Sequence, residues 1–126
     1  MLAPILAIGV GGALGGMARF WLSQVINRRL GGDFPWGTLV VNLSGCGLVG
    51  ALAAVWLANP TASPAVGAWL VMGLLGGYTT VSSFSLETFN LWREGRKGWA
   101  GLYILLSLFS CLAATFGAYE LVNYIL

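Results

Sequence analysis

Hydrophobic positions along the chain fall into four long runs, separated by three short polar segments. A helix needs about 20 mostly apolar residues to cross a bilayer, and four stretches meet that length: about residues 4–27, 37–58, 65–92 and 99–126. The connecting segments combine Gly, Pro, Asn and Asp with charged residues, which is typical of turns. The pattern predicts an all-α integral membrane protein with one domain of four transmembrane helices over residues 1–126.

Composition supports this prediction. Of the 126 residues, 58% are hydrophobic and only 8% are charged, whereas a soluble domain carries about 25% charged residues. The net charge of +2 is too small for a nucleic-acid-binding surface. The first run has no basic segment before it and exceeds the apolar core of a signal peptide, so we interpret it as an uncleaved first span. We expect the protein to lie in the cell inner (plasma) membrane.

The basic residues predict an orientation. The first and third connecting segments carry five of them, and the N-terminus, the second segment and the C-terminus carry none. Because basic loops stay in the cytoplasm, this count places both termini outside. The loop residues are Arg28, Arg29, Arg93, Arg96 and Lys97.

The residue types of the chain give little support for an enzymatic function. The chain has no His, and its four acids are scattered along the sequence rather than paired, so general acid–base catalysis and metal hydrolysis lack their components. Cys46 and Cys111 both fall within apolar runs, where we interpret them as small packing residues rather than as a disulfide or metal site. Transport is the function that remains.

The third run is interrupted by the segment GLLGGYTTVSSFSLE (73–87). Gly76 and Gly77 followed by Thr79 and Thr80 favour a break of the helix at membrane depth. Backbone carbonyls freed there are costly unless protein, water or an ion satisfies them. Carbonyl oxygens suit a hard cation, while hydroxyls and the positive ring edge of Phe84 suit an anion. The segment therefore indicates an ion site.

Other polar positions within the spans leave two interpretations open. Arg19 either reaches toward the membrane interface or serves the function, and Asn42 either forms an interhelical hydrogen bond or lines a pathway. The fourth span carries hydrogen-bonding groups at every fourth position, which lie on one helix face. They could pass an anion or water along, or bond to their own i−4 carbonyls. These residues are Tyr103, Ser107, Cys111 and Thr115.

Three segments together resemble the signature segments of the Fluc/CrcB fluoride channel family: GGALGGMARF (11–20), GTLVVNLSG (37–45) and GLLGGYTTVSSFSLE (73–87). The resemblance covers nearly the whole chain. It implies a passive fluoride channel built as an antiparallel, dual-topology homodimer with two pores and a broken third span. It also implies a central, non-transported Na⁺ held by the backbone carbonyls of Gly76 and Thr79.

By the same resemblance, the fluoride pathway contains the pore-facing asparagine of the family, one of the two phenylalanines that line the family's pathway, the polar residues at every fourth position of the fourth span, and neighbouring hydroxyls. Arg19 matches the arginine of the first span in the family. The implied pathway residues are Asn42, Thr80, Ser83, Phe84, Tyr103, Ser107, Cys111 and Thr115.

Two departures from the family pattern bear on function. Val81 stands where the first path phenylalanine is expected, which removes an aromatic edge from the route. The charge bias of five basic residues to none is also stronger than expected of a dual-topology protein, because insertion in both orientations needs nearly balanced loops. A partner chain of opposite bias is therefore a second possibility. The main alternative is a small four-span multidrug exporter, but that class uses an acid in the first span, where this chain has only Arg19. A purely structural membrane subunit is the third possibility.

Overall fold

The computed structural model describes residues 2–126, and this range is all-helical. The first and second spans are single helices, α1 (Leu2–Leu30) and α2 (Trp36–Ala58). The third span contains α3 (Pro64–Ala68), a π-helical segment (Trp69–Leu75), α4 (Gly76–Tyr78) and α5 (Val81–Arg93). The fourth is α6 (Lys97–Ile125). All four spans are long and apolar enough to cross a membrane, as predicted, and each observed span lies within three residues of its predicted limits.

Glycine-based turns set the ends of two of these helices on the basic side of the bundle. Gly31 follows α1 with φ +89°, and Gly95 follows α5 with φ +80°. After α5, Gly95 N–H donates to the Trp92 carbonyl at 3.1 Å and Arg96 N–H to the Leu91 carbonyl at 2.9 Å. This pair of bonds is the Schellman arrangement, in which a left-handed glycine satisfies the last carbonyls of a helix. Both polar loops therefore turn sharply and return the chain to the membrane.

Close contact between α1 and the third span depends on the glycines of the first signature segment. A Cβ added to Gly11 would lie 3.0 Å from Leu74 N, and one added to Gly15 would overlap the Leu74 carbonyl. On the facing side, a Cβ on Gly77 would overlap the carbonyl of Gly12. Small residues allow such backbone contact in lipid, where hydrophobicity does not drive helices together. These glycines therefore let the backbone of α1 lie directly against the third span.

Burial is concentrated at the end of the bundle that carries the basic loops. Phe34 is 4% exposed and its ring contacts those of Trp36, Trp99 and Tyr103, with centroid separations of 4.7 to 5.6 Å. Elsewhere many large apolar side chains point outward, as expected of helices that cross a membrane. This aromatic cluster holds the start of α6 against the start of α2.

Helical geometry in the third span stops at Tyr78 and resumes at Val81. Thr79 has φ −78° and ψ 156°, and Thr80 has φ −150° and ψ 119°, both extended. The two parts of the span nevertheless remain nearly collinear, with a bend of 20°. The interruption is therefore local, and its importance lies in the backbone groups that it releases.

Candidate functional site

The side-chain amide of Asn42 takes the place of the missing helical hydrogen bonds at the interruption. Its Nδ2 donates to the Thr80 carbonyl at 2.9 Å, and its Oδ1 accepts from the Thr80 N–H at 2.8 Å. The Thr80 hydroxyl then accepts from the N–H of Ser83 at 3.1 Å and thereby caps α5. A single asparagine on α2 thus stabilises the extended backbone within the membrane.

The interruption leaves carbonyls of the third span, among them those of Gly76 and Thr79, without their usual helical donors. In a continuous helix the N–H of residue i+4 would bond to the carbonyl of residue i. The Thr80 N–H, which would pair with Gly76, bonds to Asn42 instead, and the Ser83 N–H, which would pair with Thr79, bonds to the Thr80 hydroxyl. The carbonyls of Gly76 and Thr79 are therefore available to another ligand.

Two stripes of polar and small residues face each other across α2 and α6. Each residue of the α6 stripe has a number 65 higher than the residue that it faces on α2. Because this offset is constant along the helices, α2 and α6 run parallel and in register. Gly50 shows how close they are, because an added Cβ would overlap the carbonyl of Thr115. The facing pairs are Thr38 with Tyr103, Asn42 with Ser107, Cys46 with Cys111, and Gly50 with Thr115.

A groove of about 520 Å³ runs along these stripes and the start of α5. Its wall is mostly apolar, with a few amide, hydroxyl and thiol groups. One side of the groove is open, since Val81 is 77% exposed and Leu108 is 53% exposed. The lining residues are Asn42, Cys46, Val49, Thr79, Thr80, Val81, Phe84, Ile104, Ser107, Leu108, Cys111, Leu112 and Thr115.

A carboxylate closes the end of the groove near the basic loops. Glu87 accepts hydrogen bonds from the hydroxyls of Thr38 and Tyr103, both at 2.8 Å. Tyr103 is fully buried, and its ring centroid lies 5.1 Å from that of Phe84, which lines the groove. On its other side Glu87 lines a second cavity of about 230 Å³ beneath the loops, together with Asp33 and Arg96. The groove and this cavity are thus separated by one hydrogen-bonded cluster.

The structure brings most of the predicted site residues together but not all. Arg19 is half-buried on α1 and lines neither cavity. Gly76 lies exposed on the outer side of the third span, and Ser83 contacts the groove only through the Thr80 hydroxyl. Tyr103 lies at the closed end. Eight of the predicted residues line the groove directly: Asn42, Thr79, Thr80, Val81, Phe84, Ser107, Cys111 and Thr115.

Sequence reasoning overlooked the α2 stripe and the role of Glu87. Thr38, Asn42, Cys46 and Gly50 follow the same four-residue spacing as the α6 stripe, so the signal was present. The interpretation of the span-four hydroxyls is also refined. Thr115 Oγ1 donates to the Cys111 carbonyl at 3.0 Å, which is the i−4 bond of the alternative interpretation, and lies 3.2 Å from the Cys46 carbonyl.

Comparison with known proteins identifies the family. The family model for CrcB-like protein, Camphor Resistance (CrcB), matches residues 6–119. A protein of Rhodospirillum rubrum named fluoride-specific ion channel FluC is 45% identical over 85% of this chain and 84% of its own length.

A protein of the same name from Anaeromyxobacter dehalogenans is 40% identical over 98% of both chains. These names are those of ion channels and not of enzymes, in agreement with the prediction from the sequence. Its four apolar spans and its match to this family show that the protein is a multi-pass membrane protein. The match to the family model and the identity to relatives of nearly equal length establish that the chain belongs to the CrcB-like family.

Proposed function

We propose that this protein is a fluoride-specific passive ion channel of the cell inner membrane, which lets fluoride leave and lowers its cytoplasmic concentration. One observation carries the proposal: a membrane-embedded groove joins the Asn42 amide, the interrupted third span and the α6 stripe. The names of the full-length relatives support fluoride as the ion.

The groove offers the donors that a small, strongly hydrated anion needs. The Asn42 amide has two N–H hydrogens, and only one is used on the Thr80 carbonyl. The second is available to an anion, so the packing and pathway interpretations of this residue are compatible. The hydroxyls of Thr80 and Ser107 line the same groove, and the ring edge of Phe84 carries partial positive charge. Together these groups can replace part of the hydration shell of fluoride.

An antiparallel homodimer would complete the site. The groove is open along Val81 and Leu108, and the exposed Gly76 lies beside the interruption. A twofold axis in the membrane plane would bring the two interruptions together and close two grooves, giving two pores. The local interruption of the third span would then lie at the centre of the assembly.

The residues at the interruption fit a structural Na⁺. The carbonyls of Gly76 and Thr79 lack helical donors, and carbonyl oxygens are suitable ligands for a hard monovalent cation. When bound, Na⁺ would supply the positive charge that satisfies these oxygens from both subunits. The residues of this chain hold the carbonyls in place through the Asn42 amide.

A flux assay tests the proposal. Purified protein in liposomes loaded with fluoride should release it passively, at a rate far above that of chloride, as recorded with ion-selective electrodes. Liposomes without protein are the control. Proton-coupled export of organic cations without fluoride efflux would instead identify a multidrug exporter, and the absence of either flux would contradict the channel.

A further inference from the structure

The two cysteines of the chain both lie on the wall of the groove. Cys46 belongs to the α2 stripe and Cys111 to the α6 stripe, at the same level of the register. Both thiols are free, both residues are half-buried, and both line the groove. On the two stripes, both lie between the level of Asn42 and Ser107 and the level of Gly50 and Thr115. The packing role expected from the sequence therefore leaves two free thiols on the wall of one groove, at the same level of the register.

The surrounding backbone holds this pair in place. One turn further along, Gly50 contacts the main chain of Thr115 so closely that no Cβ would fit. The Thr115 hydroxyl lies 3.2 Å from the Cys46 carbonyl and 3.0 Å from the Cys111 carbonyl. The two helices are thus joined at the level of the cysteines, which fixes the backbone positions of Cys46 and Cys111 relative to each other.

We propose that Cys46 and Cys111 form a two-thiol binding site for soft, thiophilic metal cations such as Hg(II), Ag(I) and Cu(I). Sulfur ligands select soft cations over hard ones, and two ligands suffice for cations that favour linear coordination. With Hg²⁺, each thiol loses its proton, two S–Hg bonds form, and two protons are released to solvent. The site is distinct from the carbonyl site proposed for Na⁺, whose oxygens suit a hard cation.

Occupation of this site should obstruct fluoride flux, a consequence that rests on the proposed function. A cation bound between Cys46 and Cys111 would lie on the groove wall, one helical turn from Asn42 and Ser107 along the two stripes. It would fill space in the groove, and because the two thiolates neutralise Hg²⁺, the obstruction would be steric. Binding and inhibition are therefore measured separately, so that failure of one is distinguishable from failure of the other.

Binding is tested on the intact protein with Hg²⁺ as the probe, by native mass spectrometry and by loss of thiols reactive to a chromogenic disulfide. One Hg²⁺ per chain should protect both thiols. Cys46→Ser or Cys111→Ser should each weaken binding about 100-fold, because the second thiol no longer acts at high effective concentration. Two Hg²⁺ per chain, or equal affinity in the single variants, would overturn the bridging site.

Inhibition is tested by fluoride efflux from liposomes, with each variant normalised to its own metal-free rate. Micromolar Hg²⁺ should slow the wild type, a dithiol chelator should restore the rate, and the double serine variant should be resistant. The matched control places one thiol at a different, exposed position, by the substitution Ala113→Cys in the double serine background. That control should remain resistant, and equal Hg²⁺ sensitivity of the double variant and the wild type would refute the assignment.

Discussion

Replacement of Asn42 by leucine tests whether its amide stabilises the interrupted span. The substitution removes two hydrogen bonds to Thr80, at 2.9 and 2.8 Å, while keeping a side chain of similar size. A buried backbone group without a partner costs about 1–3 kcal/mol in water-soluble proteins, and side-chain hydrogen bonds in membranes average about 0.6 kcal/mol. For two groups we expect a loss of about 2–4 kcal/mol in the free energy of unfolding.

Two measurements check this value. Unfolding in mixed micelles gives the global loss, and hydrogen exchange at the Thr80 amide gives the local one. A local loss of 2 kcal/mol corresponds to about 30-fold faster exchange. The matched control is Ser44→Ala on the same helix, which removes a hydroxyl contact with Tyr78 at an exposed position and should cost less than about 1 kcal/mol. If Asn42→Leu changed neither Thr80 exchange nor unfolding more than this control does, the stabilising role of Asn42 would be refuted.

Three further predictions follow from the packing and the groove. A Cβ on Gly76 meets nothing closer than the Val71 carbonyl at 3.5 Å. Gly76→Ala should therefore leave the fold of the chain intact yet reduce Na⁺-dependent dimerisation and flux. By contrast, the added Cβ of Gly77→Ala would overlap Gly12 and should reduce the yield of folded protein. Equal dimerisation of Gly76→Ala and wild type in an energy-transfer assay would argue against the carbonyl site. Phe84→Ile should nearly abolish fluoride flux per folded protein, while Val81→Phe, at a 77% exposed position, should keep or raise it; an unchanged Phe84→Ile rate would remove that ring from the pathway. A terminal tag should be labelled from both sides of the membrane if the dimer is antiparallel, whereas exclusively external labelling would indicate a separate partner of opposite orientation.

The sequence alone determined the number of spans and the residue types of the site. In a chain with so few charged residues, long apolar runs have no stable environment except a bilayer, and a bilayer sets their length. The small-residue spacing of Gly11 and Gly15 is likewise typical of a packing surface, because small residues let helix backbones touch in lipid. The four-residue spacing from Tyr103 to Thr115 placed its polar groups on one face of α6, since helical periodicity is local.

Tertiary structure decided which of these groups meet. The interruption at Thr79 and Thr80 could be anticipated from its glycines and threonines, but its stabilisation by Asn42 depends on the packing of α2 against the third span. Likewise, Cys46 and Cys111 look like isolated packing residues in the sequence, 65 positions apart, and line the same part of the groove only because α2 and α6 run parallel and in register. Local periodicity assigns a residue to a face of its own helix, whereas the register between helices depends on long-range contacts such as that between Gly50 and Thr115.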